Sequence, residues 1–190
     1  DGVTLYAVSD LHIWGAQDPL YVSLLTLLRE RAQSGDTVVL AGDLFDLFVG
    51  NKRIFSERYG EFFRAAAEAG ARGVQVHYIE GNHDFLIGRA FKNVPGLVIH
   101  SHEVAMELEG KRFFFAHGDT VDRKDYGYLF MRFMFRTPLM KLLVAIIPGG
   151  VLDWIGNRSS YASRKSKPIL PAHLPLGHLE RLRNIYRSYA

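Results

Sequence analysis

The stretch Thr37-Val38-Val39-Leu40-Ala41-Gly42-Asp43-Leu44-Phe45-Asp46 decides the fold. Its short β-branched run predicts a strand, and Gly42 then lets the backbone turn. Asp43 follows at once, so a carboxylate stands just beyond a strand end. Its two oxygens offer about four lone-pair sites, enough to bridge two cations.

The same grammar repeats on either side. Residues 3–9 read as a buried strand that runs into Asp10-Leu11-His12. Residues 74–79 read as a strand that ends at Gly81-Asn82-His83-Asp84. Phe113-Phe114-Phe115 runs into His117-Gly118-Asp119, with Asp125 just beyond. Asp10 and His12 alternate around Leu11, so an extended strand end would aim both at one ion. Asn82 adds a hard amide oxygen without charge, and Gly118 permits close approach to His117. Each motif alone is weak, since Asp-x-His suits a surface turn and a single His is often structural. The four in order are not weak: they supply the oxygen and imidazole ligands of two divalent metals set up for in-line attack on a phosphate.

Helical patterns lie between the strands. Pro19 to Gln33 carries Leu20, Leu24, Leu27 and Leu28 at helical spacing and is closed by Ser34-Gly35. Ser56 suits the N-cap of a helix over 57–69 that Gly70 closes. Residues 97–99, 104–108 and 112–116 are expected to be later strands, with Glu109-Gly110 as a hairpin turn. Alternating strands and helices predict an α/β layered fold, in which ligand groups gather beyond the carboxyl ends of strands.

From Tyr126 the pattern turns apolar and aromatic: Tyr128, Phe130, Phe133, Met134, Phe135, Leu139, Leu142 and Leu143 are too many for so small a core. A helical cap over 126–167 is expected, broken into short helices at Pro138 and Pro148. Its longest uncharged run, 142–152, is shorter than the ~20 residues a bilayer span needs. The division is therefore a core over 1–125, the cap, and a return segment over 168–190.

Composition narrows the classes. A chain of 190 residues with 48% hydrophobic content can bury a real core, which argues against disorder. It has no cysteine, which removes disulfides, thiolate metal sites and thiol nucleophiles, and Asp1-Gly2 leads into a strand pattern without a signal peptide. Net charge is only +3, so the basic run Arg158, Arg164, Lys165 and Lys167, which includes no acid, is a local feature suited to an anionic partner or to a solvated face.

These motifs resemble the calcineurin-like metallophosphoesterase superfamily over residues 3–119. The resemblance implies a layered α-β-β-α sandwich in which Asp10 and His12 hold one metal, Asp43 bridges, and Asn82 and His117 hold the second. It implies Mn²⁺, with Fe or Zn compatible. His83 is expected to contact the phosphate and assist the leaving oxygen, with Asp84 orienting its imidazole, and Asp46 and Asp119 are expected to support the ligands. Gly81-Asn82-His83-Asp84-Phe85-Leu86-Ile87-Gly88 and His117-Gly118-Asp119-Thr120, with Asp125, Gly127, Tyr128 and Arg132, look more narrowly like the UDP-2,3-diacylglucosamine pyrophosphatase family.

That narrower resemblance implies hydrolysis of a lipid-linked UDP-sugar to UMP and a lipid sugar phosphate in lipid A synthesis. It implies a cap that sandwiches acyl chains, with Asp125 and Tyr128 at the sugar and Arg158, Arg164, Lys165 and Lys167 near phosphate. The implied place is the cytoplasm, peripheral on the inner membrane of a Gram-negative bacterium, against anionic headgroups and with no nucleic acid partner. Two departures stand beside it. His83 occupies a position where the best-known members carry Arg. A Gly-His-Thr-His stretch with two further ligands is also missing: His173 and His178 lack its spacing, and 179–189 reads as the helix before a missing strand. The last part of the site is therefore expected outside these 190 residues. Another phosphoester or nucleotide substrate, or a non-catalytic scaffold, are the alternative readings. An apolar cap cavity separates the lipid reading from a nuclease, which needs a basic groove with exposed aromatics.

Overall fold

A computed structural model describes residues 2–118, 133–134 and 137–166. Its centre is a parallel sheet in the order β1 (Leu5–Val8), β2 (Thr37–Leu40), β4 (Gln75–Ile79), β6 (Leu97–His100). The register pairs Tyr6 with Val38, Val38 with Val76 and Tyr78 with Ile99. One face carries Val38, Leu40, Val76 and Tyr78, all completely buried, because α1 (Pro19–Thr26) and α3 (Gly60–Ala71) cover it with Leu24, Phe62, Ala65, Ala66 and Ala69. Small alanines let α3 lie close to the sheet. The fold is α/β with a parallel-sheet core, as the strand-and-helix alternation predicts.

Helix α1 starts where Asp18 accepts the Leu20 amide at 2.9 Å, with Pro19 in the first turn. It continues as a π-helical turn over Leu27–Arg31, so the expected helix to Gln33 ends slightly early. The segment read as one helix from Ser56 is two: α2 (Arg53–Arg58) and α3. Ser56 lies inside α2, with its hydroxyl turned back to the Lys52 carbonyl, so it caps nothing. Gly70 is inside α3 rather than past its end. A Cβ there would lie 2.0 Å from the Pro95 carbonyl oxygen, and Gly73, at φ +91°, makes the reversal instead.

Two short pairs flank the sheet. Strand β3 (Phe48–Val49) runs parallel to β5 (Asp84–Phe85), which ties the loop after β2 to the loop after β4. Strands β7 (Val104–Leu108) and β8 (Lys111–Phe115) form an antiparallel hairpin whose turn has Glu109 and Gly110 at positive φ. Pro138 opens α4 (Pro138–Ile146), capped by the Thr137 side chain, and α5 (Gly149–Ser166) starts directly after Pro148. The breaks fall at the expected prolines, although α5, at 18 residues, is not short. The expectations for residues 119–132 and for 179–189 lie outside the described residues.

Candidate metal centre

The three candidate carboxylate and imidazole loops emerge from the same end of three adjacent parallel strands, β1, β2 and β4. The first two run side by side past the sheet. The amides of Asp10, His12 and Ile13 donate to the carbonyls of Gly42, Asp43 and Leu44 at 3.1, 3.0 and 2.8 Å. This ladder holds Asp10, His12 and Asp43 in left-handed backbone, at φ 54°, 47° and 52°. Such conformations cost about 1–3 kcal/mol each and persist only where the surroundings fix them. The extended Asp-x-His end expected from sequence is therefore not formed. The two side chains still meet, by a different route: ligand atoms of Asp10, His12 and Asp43 lie within 4.8 Å of one another. A second group of the same tightness joins His12, Asp46 and His83.

Asp43 is buried and divides its two oxygens. Oδ1 accepts the amides of Asn82 and His83 at 2.7 and 2.9 Å, while Oδ2 faces His117 Nε2 at 3.4 Å. Burial alone would raise its pKa, but His117 and the His83 amide outweigh that and hold it at about 2. It is an anion at any working pH. His117 donates Nδ1–H to the Ala41 carbonyl at 2.9 Å, and His83 donates Nδ1–H to the Asp46 carbonyl at 2.8 Å, so each keeps Nε2 for another partner. Burial, with His83 nearby, lowers the His12 pKa against the pull of Asp43, Asp10 and Asp46, which favours the neutral imidazole a metal requires. Rings of His12 and His83 meet edge to face at 4.9 Å.

Glycines make this approach possible. At Gly42 a Cβ would meet His117 Nδ1 at 2.6 Å, and at Gly81 it would meet Asp43 Oδ1 at 2.3 Å. The donor set fits divalent cations: anionic and neutral oxygens with imidazole nitrogens, those of His117 and His83 each oriented by a carbonyl behind the ring.

One assignment needs correction. Asp84 was expected to orient the His83 ring, but that is done by the Asp46 carbonyl. The Asp84 carboxylate, wholly buried, instead accepts the amides of Asp43, Leu44 and Gly81 and the hydroxyl of Tyr78. Burial and the neighbouring Asp43 raise its pKa to about 6 against those donors. Tyr78 was missed, because its spacing on β4 is that of any core aromatic.

The chain belongs to the calcineurin-like phosphoesterase family. The family model matches residues 3–186. Membership implies binding of divalent metal, and the ligand groups above are where this chain can do it. The chain is also 32% identical over 168 residues to the UDP-2,3-diacylglucosamine hydrolase of Photorhabdus laumondii, covering 86% of this chain and 70% of that enzyme. It is 29% identical to the enzyme of the same name from Klebsiella pneumoniae, with 84% and 68% covered. The Vibrio cholerae enzyme of that name is 30% identical, with 74% and 58% covered. A crystal structure of an Aquifex aeolicus protein of unknown function overlays with a TM-score of 0.43 at 19% identity, covering 69% of this chain and 70% of that one, too distant to add to the assignment.

Beside the centre lies the helical pair. Arg58 on α2 grips Asp153 on α5 with two bonds of 2.7 and 2.8 Å, and Lys52 Nζ donates to the Ala145 carbonyl at 2.9 Å. Gly156 lies against Leu47, the neighbour of Asp46. Val144, Met140 and Leu152 pack inward, while Leu139, Leu142, Ile146, Trp154 and Ile155 face solvent. The expected apolar cavity is not what the described part of α4 presents: its apolar face is open, with Ile146 68% exposed. Arg158 sits over the Trp154 ring at 5.8 Å. The side chains of Arg164 and Lys165, and all of Asp119, Asp125, Tyr128 and Lys167, lie outside the described residues.

Proposed function

We propose that this chain hydrolyses the diphosphate bond of UDP-2,3-diacylglucosamine, giving UMP and 2,3-diacylglucosamine 1-phosphate for lipid A synthesis. The observation that carries it is the meeting of Asp10, His12 and Asp43 at one end of three parallel strands, beside an apolar helical pair fixed to α2 through Arg58. Two curated relatives, 32% and 29% identical to this chain, are named for hydrolysis of that substrate.

In this reading Asp10 and His12 would hold one Mn²⁺, Asn82 and His117 would hold the other, and Asp43 would be a ligand to both. When bound, such a pair supplies positive charge to the phosphate oxygens and acidifies a water. His83, anchored through Nδ1 to Asp46, presents Nε2 to a phosphate oxygen and steadies the charge that gathers on the leaving oxygen as the P–O bond breaks. Asp125 and Tyr128 hold the sugar, and Arg158, Arg164, Lys165 and Lys167 offer cations to phosphate.

In the same reading the cap rests on the cytoplasmic face of the inner membrane. Among the described residues no single helix is long and apolar enough to cross a membrane. The open face of α4 and α5 instead suits the surface of one: it exposes Leu139, Leu142, Ile146 and Trp154, adds Lys141 and Arg158, and its one acid, Asp153, is taken by Arg58. Sedimentation with vesicles containing phosphatidylglycerol is the expected result, and no sedimentation with them would sink the membrane part alone.

The test of the reaction is UMP release from UDP-2,3-diacylglucosamine with Mn²⁺ added, using the full-length protein. Release that EDTA abolishes is expected. Hydrolysis of a generic phosphodiester without UMP release would move the substrate elsewhere, and inactivity on both would favour a scaffold.

A further inference from the structure

We infer that Tyr78 is a positioning residue for the metal centre, acting through Asp84 on the loop that carries Asp43. The inference rests on the dimetal reading above. Its basis is a reciprocal exchange between two carboxylates. Asp84 Oδ1 accepts the amides of Asp43 and Gly81 at 3.0 and 2.8 Å, and Oδ2 accepts the Leu44 amide and the Tyr78 hydroxyl at 2.7 and 2.6 Å. Asp43 Oδ1 returns the bond by accepting the amides of Asn82 and His83 at 2.7 and 2.9 Å. Each ligand loop therefore holds its neighbour by a carboxylate on backbone amides, and the exchange fixes which oxygen of Asp43 is left to face His117.

All four donors on Asp84 are neutral: three amides and one phenol. A wholly buried carboxylate solvated only by dipoles depends on each of them. The phenol differs from the amides in where it stands. The amides belong to the loops being positioned, whereas Tyr78 belongs to β4, paired on both sides with Leu40 and Ile99. Its ring is locked between Phe62 and Phe91, with centroids at 6.1 and 5.8 Å. Tyr78 thus refers the position of Asp84, and with it Asp43, to the rigid sheet. Neither Tyr78 nor Asp84 touches metal or substrate directly in that reading.

The test is Tyr78→Phe in the full-length protein, which keeps the ring and removes the hydroxyl. Mn²⁺ affinity by titration calorimetry should fall roughly 10- to 100-fold, the usual effect of losing a group behind a ligand. The control is Tyr21→Phe, which removes an equally buried hydroxyl that accepts the Phe62 amide at 2.9 Å, away from the ligand loops. That variant should lose comparable thermal stability and keep wild-type Mn²⁺ affinity. Amide exchange in a peptide spanning 41–46 should quicken in Tyr78→Phe alone. Unchanged affinity and exchange in Tyr78→Phe, or equal losses in both variants, would overturn the inference. Wild-type protein that binds no Mn²⁺ would instead overturn the dimetal reading beneath it.

Discussion

At the residue scale, glycine and histidine carry the sharpest consequences. Gly81→Ala would push a methyl to within 2.3 Å of Asp43 Oδ1 and 2.5 Å of its amide, both held in place by the carboxylate exchange. We expect about 1–3 kcal/mol lost on thermal unfolding, the range for overpacking, together with loss of Mn²⁺ binding by calorimetry. Wild-type metal affinity in that variant would contradict the packing argument. His83→Ala should keep its metals, because Asp10, His12, Asp43, Asn82 and His117 remain, while kcat falls by about 10²–10⁴. Metal loss in that variant would make His83 a ligand, as its grouping with His12 and Asp46 allows. The candidate ligands are legible in the sequence because each follows a strand end. Their backbone is not: nothing in Asp10-Leu11-His12 signals two left-handed residues, a state imposed by the ladder to Gly42, Asp43 and Leu44. The role of Asp84 is hidden for the same reason, since its partners Asp43 and Leu44 are 41 and 40 residues away.

At the element scale, strands were easier to read than helix ends. Strand β2 declares itself through consecutive β-branched residues, and the six longer strands lie within a residue or two of their expected spans, whereas the two-residue strands β3 and β5 were not expected. Helix boundaries follow tertiary contacts instead. Gly70 looks like a stop signal, yet it is glycine because the Pro95 carbonyl fills the space of a side chain. The helical pair α4–α5 was legible from its excess of apolar residues, whereas its attachment through Arg58 and Asp153, 95 residues apart, was not. Because Leu142 and Ile146 are 56% and 68% exposed, replacing both with Glu should leave the unfolding free energy within about 0.5 kcal/mol of wild type, as surface changes do. Turnover of the diacyl substrate should fall at least about tenfold, with a water-soluble phosphodiester unaffected. Equal turnover of the lipid substrate would remove α4 from substrate or membrane contact.

At the scale of the whole molecule, the parallel sheet is both the rigid reference for the metal centre and a source of pH dependence. His77 on β4 and His100 at the end of β6 share a hydrogen bond of 3.0 Å between ring nitrogens and stack at 5.2 Å. Burial lowers both pKa values, and His100 lowers that of His77 further. Lowered imidazole values mean the unfolded chain binds more protons as pH drops through about 6.5. The pair's contribution is therefore present above that pH and lost below it. The thermal midpoint of the chelator-treated protein should fall between pH 7 and 5, and less steeply in His100→Gln; equal slopes would contradict this.

In the dimetal reading Asp43 serves two metals at once. Metal content of the full-length protein after Mn²⁺ loading and desalting tests it most directly. Two Mn²⁺ per chain in wild type, and one or none in Asp43→Ala, is the predicted result. A single Mn²⁺ in wild type, or two retained in Asp43→Ala, would contradict it.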